Sequence, residues 1–338
     1  ERVIVCDRSC EGVQNVVPEF VGDNQLRVPV LPPTSKAERA RNESMLRQMT
    51  VYYWVNRVLS RVEELGHRFD HRLKIMVDRE VSDIETGEAL TNNAFFLSTD
   101  VDVVDWSLSF LPAEGGMGQR LLPSGYDPSV AIHEATHFIF QEMVGDILNQ
   151  EIYGLHEAFA DYFALSILES PEVGLVMLRG EPLRTGSTLL RYEPNMEVHD
   201  LGNVVVAALW NIREAFPDKN LADKVVFETI YQIGANPFAS ASSVMDAYYI
   251  ALNKVAADTF EANPGLLGEI DRTWTATKLK APPLVPHLSA LAAPLPPAAA
   301  AAAPYAASAA AAAASAASAS ADQYAASADR AAAFDRYE

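Results

Sequence analysis

Two histidines four residues apart, with a glutamate directly after the first, are the residues of this chain best suited to metal chemistry. They lie in the segment His133-Glu134-Ala135-Thr136-His137. On a helix, residues i and i+4 share one face, so both imidazoles can reach the same ion. The spacing predicts a zinc site, and a third ligand from another element would leave the fourth position of the zinc open for water.

The residues around this motif predict that it lies in the middle of a helix. Asp127 can cap the helix with its side chain, and Pro128 suits the first helical position, where no amide hydrogen is needed. Apolar residues recur through the segment, and Gly145 can adopt the left-handed conformation that ends many helices. Both imidazoles are therefore expected one turn apart on one rigid element.

Glu157 is the candidate for the third ligand. It lies in a second helical pattern between Gly154 and Pro171, and Asp161 follows it by one turn. That spacing allows Glu157 to bind metal while Asp161 accepts the second ring hydrogen of a ligand histidine and so fixes its tautomer. A surface carboxylate is the alternative for Glu157. The neighbouring His156 is expected on a different face of the helix, either behind the ligands or in a structural role.

These segments resemble the active site of the thermolysin-like metallopeptidases and, more broadly, of the gluzincins. In that family a His-Glu-x-x-His helix is followed, after nineteen residues, by a glutamate ligand and, four positions later, by an aspartate. Residues 138–156 give that gap, and Asp161 gives that aspartate. Residues 92–96 (Asn-Asn-Ala-Phe-Phe) resemble the family's substrate-binding edge strand, and residues 197–200 (Glu-Val-His-Asp) resemble the segment with its transition-state histidine. The resemblance covers roughly residues 40–280.

The resemblance implies a zinc-dependent endopeptidase that hydrolyses internal peptide bonds by means of a metal-activated water. It implies a role for each of eight residues: His133, His137 and Glu157 as zinc ligands, Asp161 behind them, Glu134 as general base, His199 as donor to the oxyanion, and Asn93 and Ala94 as binders of the substrate backbone. Simpler alternatives stay open, because His199 is also explained as an exposed residue before a helix, and Asn93 and Ala94 as ordinary residues at a strand end. Two other functions remain, a gluzincin aminopeptidase and a catalytically silent binding module with a structural zinc.

Two features of the family have no secure counterpart in the sequence. For the arginine that helps to hold the substrate carbonyl, Arg184 and Arg191 are nearby candidates. For calcium, Asp100, Asp102 and Asp105 offer the oxygen ligands that this ion prefers, although strand alternation toward solvent explains them equally well.

The pattern of apolar residues predicts an α+β fold of two lobes, as in the thermolysin-like metallopeptidases, with the zinc site between them. Residues 1–126 are expected to form a mixed α/β N-terminal lobe with a long helix over 40–65 and strands at 73–77 and 95–97. Apolar side chains recur at helical spacing in the long helix, at Leu46, Met49, Tyr53 and Leu59. Residues 127–280 are expected to form an α-helical lobe, with helices near 198–216, 220–233, 241–262 and 266–279.

Charge and cysteine content narrow the expected partners and compartment. A formal net charge of −19 disfavours sequence-independent nucleic-acid binding, which requires lysine and arginine against phosphates. Proteins or peptides are the substrates that the resemblance implies. No apolar run of membrane-spanning length occurs before residue 281. Cys6 and Cys10 are the two cysteines, and either a small-loop disulfide or two free thiols fits their spacing. Secretion is expected from the resemblance and the disulfide alternative, and a chain that starts at Glu1 is expected to be a processed form.

Residues 281–338 differ in composition from the rest of the chain. They are rich in proline, alanine and serine, and prolines interrupt the early part. Alanine favours helix but provides little bulk for a core. Two hypotheses stay open: the segment is a linker or tail that reaches another surface, or its alanines stand for residues of other identity, in which case the measured mass would exceed the calculated one.

Overall fold

A computed structural model of the chain describes residues 3–7, 19–21, 25–27, 35–82, 87, 89–97, 105–112, 121–145, 150–193, 195–235, 244–259 and 264–279. Three predictions fall outside the described residues or side chains. They concern the pair Cys6 and Cys10, the calcium candidates Asp100 and Asp102, and the tail at 281–338. Asp105 is within a strand, but its side chain is not among those described.

The order of elements is mixed at first and mostly helical afterwards. Strands β1 (Val3–Asp7), β2 (Glu19–Val21) and β3 (Gln25–Arg27) precede helix α1 (Lys36–Glu64). Strands β4 (Arg72–Val77), β5 (Val81–Ser82), β6 (Ala89–Leu90), β7 (Ala94–Leu97) and β8 (Asp105–Phe110) follow. A short 3-10 helix (Ser124–Tyr126) leads into α2 (Pro128–Val144), then α3 (Gln150–Leu168), β9 (Glu172–Val173), β10 (Arg184–Thr185), α4 (Val198–Ala215), α5 (Lys219–Ala235), α6 (Val244–Thr259) and α7 (Pro264–Ala276).

The main sheet has four strands in the order β1-β4-β8-β7. The first three are parallel, and β7 pairs antiparallel with β8 at one edge, with Ala94 opposite Phe110. Helices α1 and α2 pack on this sheet, and α2 contacts β7 directly. The metal motif is therefore placed beside the edge strand of the sheet.

Helix α1 exists as expected, but the face that it buries differs from the apolar positions in the sequence. A capping box between Ser35 and Glu38 begins it. Leu59 is buried, whereas Leu46 and Tyr53 are 42 % and 52 % exposed. The buried stripe instead includes Arg47, because its guanidinium binds Asp78 through two hydrogen bonds of 2.8 and 2.6 Å and so satisfies its charge below the surface.

The second half is not helical throughout. Strands β9 and β10 form a small antiparallel sheet between α3 and α4, with Val173 opposite Arg184. Gly174 and Gly180, both with positive φ, permit the tight backbone path between these strands. Among the described residues, none of the helices combines the length and the apolarity needed to cross a membrane.

Candidate metal centre

His133, His137 and Glu157 converge on one point between α2 and α3. The Nε2 atoms of the two rings are 3.0 Å apart, and they lie 3.4 and 3.6 Å from the two carboxylate oxygens of Glu157. One ligand atom from each residue lies within 4.8 Å of the other two. Two histidines and a glutamate are the ligand set of many catalytic zinc sites, which keep a fourth position open.

A buried carboxylate oxygen of this cluster that lacks a hydrogen-bond partner also suits a cation. Glu157 Oε2 is buried and has no hydrogen-bond partner among the described residues, although His133 and His199 lie within ion-pair distance of it. Burial alone would raise the pKa of Glu157, but the surrounding histidines hold it well below its usual value, so the carboxylate is ionised. An ionised and incompletely bonded carboxylate beside two ring nitrogens is suited to binding a metal ion.

The two ligand histidines differ in their electrostatics. Burial opposes a charge on His133, yet the Asp161 and Glu157 carboxylates raise its pKa to about 10. Burial, together with the neighbouring His156, lowers the pKa of His137 well below its usual value. These directions favour a positive charge on His133 and a neutral His137 in the metal-free cluster, and a metal ion must displace the additional proton of His133 to bind both rings.

Behind His133, a chain of hydrogen bonds runs to Asp161 and on to Arg184. His133 Nδ1 donates to Asp161 over 2.7 Å, and Arg184 donates to both oxygens of Asp161 over 2.6 and 2.8 Å. Burial raises the pKa of Asp161, but Arg184 and His133 outweigh it and lower that pKa to about 2. Since this bond uses Nδ1, the Nε2 atom of His133 is left to face the cluster.

Of the two arginine candidates, Arg184 is thus the one at the site, whereas Arg191 is exposed. Arg184 reaches Asp161 from β10, and the position of that strand depends on the start of α2. Asp127 accepts from Ser129 at the helix start and from the backbone amides of Val176 and Met177 over 2.9 and 2.8 Å. Asp127 therefore caps α2 and also connects it by hydrogen bonds to the segment that leads into β10.

Glu134 is 6 % exposed and close to the cluster. Burial raises its pKa to about 7, and the charges of His133, Arg184 and His199 act in the opposite direction. A carboxylate with a pKa near neutrality can both accept and return a proton at neutral pH.

His199 lies in the first turn of α4, with its side chain 22 % exposed. Its Nδ1 is 2.9 Å from a carboxylate oxygen of Glu197, and its Nε2 is 3.7 Å from Glu157. Burial lowers the pKa of His199, but Glu157 and Glu197 more than compensate and raise it. His199 is thus fixed at one nitrogen and can present an N–H group toward the cluster at the other.

Helices α3 and α4 approach closely enough to bring Glu157 and His199 together because two glycines face their partners. A Cβ atom at Gly202 would lie 2.6 Å from Cβ of Glu157, and one at Gly154 would lie 2.5 Å from Leu201. Helix α3 starts at Gln150, ahead of Gly154, so this glycine lies inside the helix, where its missing side chain admits Leu201.

Asn93 and Ala94 lie at the start of the edge strand β7. The backbone of Asn93 accepts from the Leu111 amide at 2.8 Å and from the Ser124 hydroxyl at 2.9 Å. Its side-chain oxygen accepts from the Ala94 amide at 2.8 Å. The start of β7 is therefore firmly held, and β7 is the edge strand of the described sheet.

His156 packs directly behind His137 and is buried. Burial lowers its pKa to about 4, so the ring is neutral at ordinary pH. Its contacts connect α3 to the ligand-bearing turn of α2.

Comparison with solved structures finds chains of similar fold. The chain is similar in structure to the precursor of protealysin, a metalloproteinase from Serratia proteamaculans, with a TM-score of 0.56 and 12 % sequence identity. The match covers 82 % of this chain and 87 % of that chain. No protein-family model and no curated protein matches the sequence. The similarity establishes a mixed, helix-rich α+β fold like that of the protealysin precursor.

Proposed function

We propose that this protein is a zinc-dependent endopeptidase with its active site at the His133, His137 and Glu157 cluster. The observation that carries the proposal is the convergence of these three ligands beside a buried carboxylate, Glu134, that is not among them. A structural zinc site needs no such carboxylate, and it has no use for a histidine held like His199. A zinc ion in this site would supply Lewis-acid chemistry, which lowers the pKa of water and polarises a carbonyl oxygen.

Glu134 is the proposed general base. It takes the proton from the attacking water and later delivers it to the leaving amine, which its pKa of about 7 makes feasible in both directions. His199 is proposed to donate a hydrogen bond from Nε2 to the oxyanion, because Glu197 holds its other nitrogen. Such a donor is typically worth about 2.7 to 4 kcal/mol of transition-state stabilisation.

The substrate is proposed to bind along β7 as an added antiparallel strand. β7 is the last strand of the described sheet, and an edge strand is where an extended peptide can add by backbone hydrogen bonds, with Asn93 and Ala94 at its start and α2 packed against it. Arg184 is the proposed binder of the substrate carbonyl, because Asp161 fixes its guanidinium beside His133. Proteins or unfolded peptides are the proposed partners, and a secreted location is proposed on the family resemblance alone.

Substitution of Glu134 tests the proposal most directly. In Glu134→Gln the hydrolysis of an unfolded protein should fall by at least about 10²- to 10⁴-fold, because the base is lost, while zinc content stays at one ion per chain. Glu142→Gln is a matched control, since Glu142 is a buried carboxylate on the same helix that contacts His67 and His71 instead of the cluster. Equal activity of wild type and Glu134→Gln would remove Glu134 from the mechanism.

The class of peptidase is tested by the choice of substrate. An endopeptidase cleaves peptides with blocked ends, an aminopeptidase requires a free amine, and a silent binding module cleaves neither. The chain has no Gly-x-Met-Glu-Asn segment of the kind that gluzincin aminopeptidases carry before the metal helix, which favours cleavage of blocked peptides. Activity on free-amine dipeptides alone would reverse this choice.

A further inference from the structure

The two proposed ligand histidines are held in different ways. The Nδ1 atom of His133 donates to Asp161. The Nδ1 atom of His137 is buried and has no hydrogen-bond partner among the described residues. A ligand imidazole usually donates its second N–H to a carboxylate or carbonyl that sets its orientation. The orientation of the His137 ring therefore needs another source.

The ring of His156 packs against the ring of His137. The two ring centres are 4.2 Å apart with the planes tilted by 59°, and the ring of Phe140 lies 4.7 Å from that of His156. His156 is 6 % exposed, so it fills the space between α2 and α3. The His137 ring thus lies against an aromatic surface that is itself packed from another direction.

A hydrogen bond fixes His156 in this position. Its Nε2 lies 3.1 Å from the backbone carbonyl oxygen of His137. A carbonyl can only accept, so Nε2 of His156 carries a hydrogen and donates it to this oxygen. His156 thereby contacts both the backbone and the side chain of one residue, and that residue is a proposed zinc ligand.

We propose that His156 is a positioning residue for zinc binding, which orients His137 by ring packing and by the bond to its carbonyl. This rests on the proposed metal site. Asp161 positions His133 through a charged hydrogen bond. His156 positions His137 through ring packing and a hydrogen bond to its backbone carbonyl. A residue that only fills the core would stabilise the fold without changing the zinc affinity of the folded protein.

Two variants separate these roles. His156→Phe keeps an aromatic ring and loses the donor, and His156→Gln keeps a donor and loses the ring. His67→Phe is the control, because His67 is also buried and contacts α2, but through Glu142 and away from the cluster. For each protein the measurements are the zinc dissociation constant by competition with a chromophoric chelator, the visible spectrum of the cobalt-substituted form, and the urea midpoint of the metal-free form.

Both His156 variants should bind zinc about 10- to 100-fold more weakly than wild type and shift the cobalt bands, as expected when a group behind a ligand is lost. His67→Phe should lower the urea midpoint while its zinc constant and cobalt spectrum match wild type. If His156→Phe does not fold, His156→Gln decides the result alone. A zinc constant within twofold of wild type in the folded His156 variants would overturn the positioning role, with the proposed function intact. Failure of wild type itself to bind zinc tightly would overturn both.

Discussion

Two buried aspartates, Asp161 and Asp223, are each bound by an arginine and by a ring-bearing side chain, yet their surroundings differ. Asp161 accepts from Arg184 and His133. Asp223 accepts from Tyr162 and Arg213 over 2.9 Å each, and Arg61 lies 3.5 Å from its second oxygen. The Asp161 network leads to a cluster with two buried atoms that have no hydrogen-bond partner among the described residues, Nδ1 of His137 and Oε2 of Glu157. The described residues of the Asp223 network have no such atom.

This difference separates a network that can bind a ligand from one that only supports the fold. Buried polar groups normally have hydrogen-bond partners. A cluster in which buried polar atoms lack partners therefore lowers the stability of the fold unless a ligand binds to those atoms. The Asp223 network completes itself with protein atoms alone. Under the proposed function, a cation bound by His133, His137 and Glu157 takes up the unpartnered oxygen of Glu157, whereas the Asp223 network only supports the fold.

Removal of the carboxylate ligand should break the metal network most severely. Glu157→Gln should retain the fold but weaken zinc binding by more than the roughly 10- to 100-fold that loss of an outer partner costs, because a ligand charge is lost. Metal content after dialysis and chelator competition measure this. Retention of wild-type zinc affinity would contradict the three-ligand site.

The matching change in the second network should affect stability instead. Asp223→Asn removes the buried counter-charge of Arg213, which is 3 % exposed, and leaves it only the exposed carboxylate of Glu214 at 3.6 Å; loss of a buried partner costs up to about 3–5 kcal/mol. Urea unfolding of the metal-free protein gives the free energy. Zinc affinity should equal that of wild type, and a parallel loss of zinc would show that the two networks are coupled.

Replacement of Arg184 should weaken the metal network without dismantling it. Arg184→Met removes both hydrogen bonds that hold Asp161, so zinc affinity should fall by about 10- to 100-fold. Arg191→Met is the control, because Arg191 is exposed and should leave the affinity unchanged. If both variants behave alike, Arg184 has no special role.

Acid should weaken the Asp161 network over a defined range. The folded pKa of Asp161 is lowered from 3.8 to about 2, so its contribution is complete above about pH 4 and is lost as pH falls toward 2. The full effect is on the order of 2 kcal/mol, from about 1.4 kcal/mol per pKa unit. In Arg184→Met this pKa should rise toward its usual value, so the difference in unfolding free energy between wild type and variant should shrink below pH 4. A constant difference from pH 6 to pH 2 would contradict this assignment.

The sequence predicted the local geometry around the candidate site, because helix spacing and caps are set by nearby residues. The structure places His133 and His137 one turn apart on α2, and it brings Glu157 and Asp161 to them from α3. The expected cap at Asp127 is present. These features depend on periods and gaps that can be read along the chain.

The contacts that the sequence could not predict all join distant segments. Arg184 reaches Asp161 from a small sheet whose strands have two residues each, too short to give a periodic signal. The buried Arg47 depends on Asp78, and without that partner an arginine would be assigned to the exposed side of α1. The contact of His156 with His137 depends on the spacing between α2 and α3, which no single helical pattern contains.

The close approach of α3 and α4 limits how this protein can change over generations. Many core side chains on these helices can be exchanged for others of similar volume, because neighbours can repack around them. Gly154 and Gly202 have no such freedom, since even one methyl group would strike the opposite helix and, at Gly202, the side chain of Glu157. Across diverging relatives we therefore expect these two positions to vary less than the apolar core around them, although neither glycine contributes an atom to the chemistry.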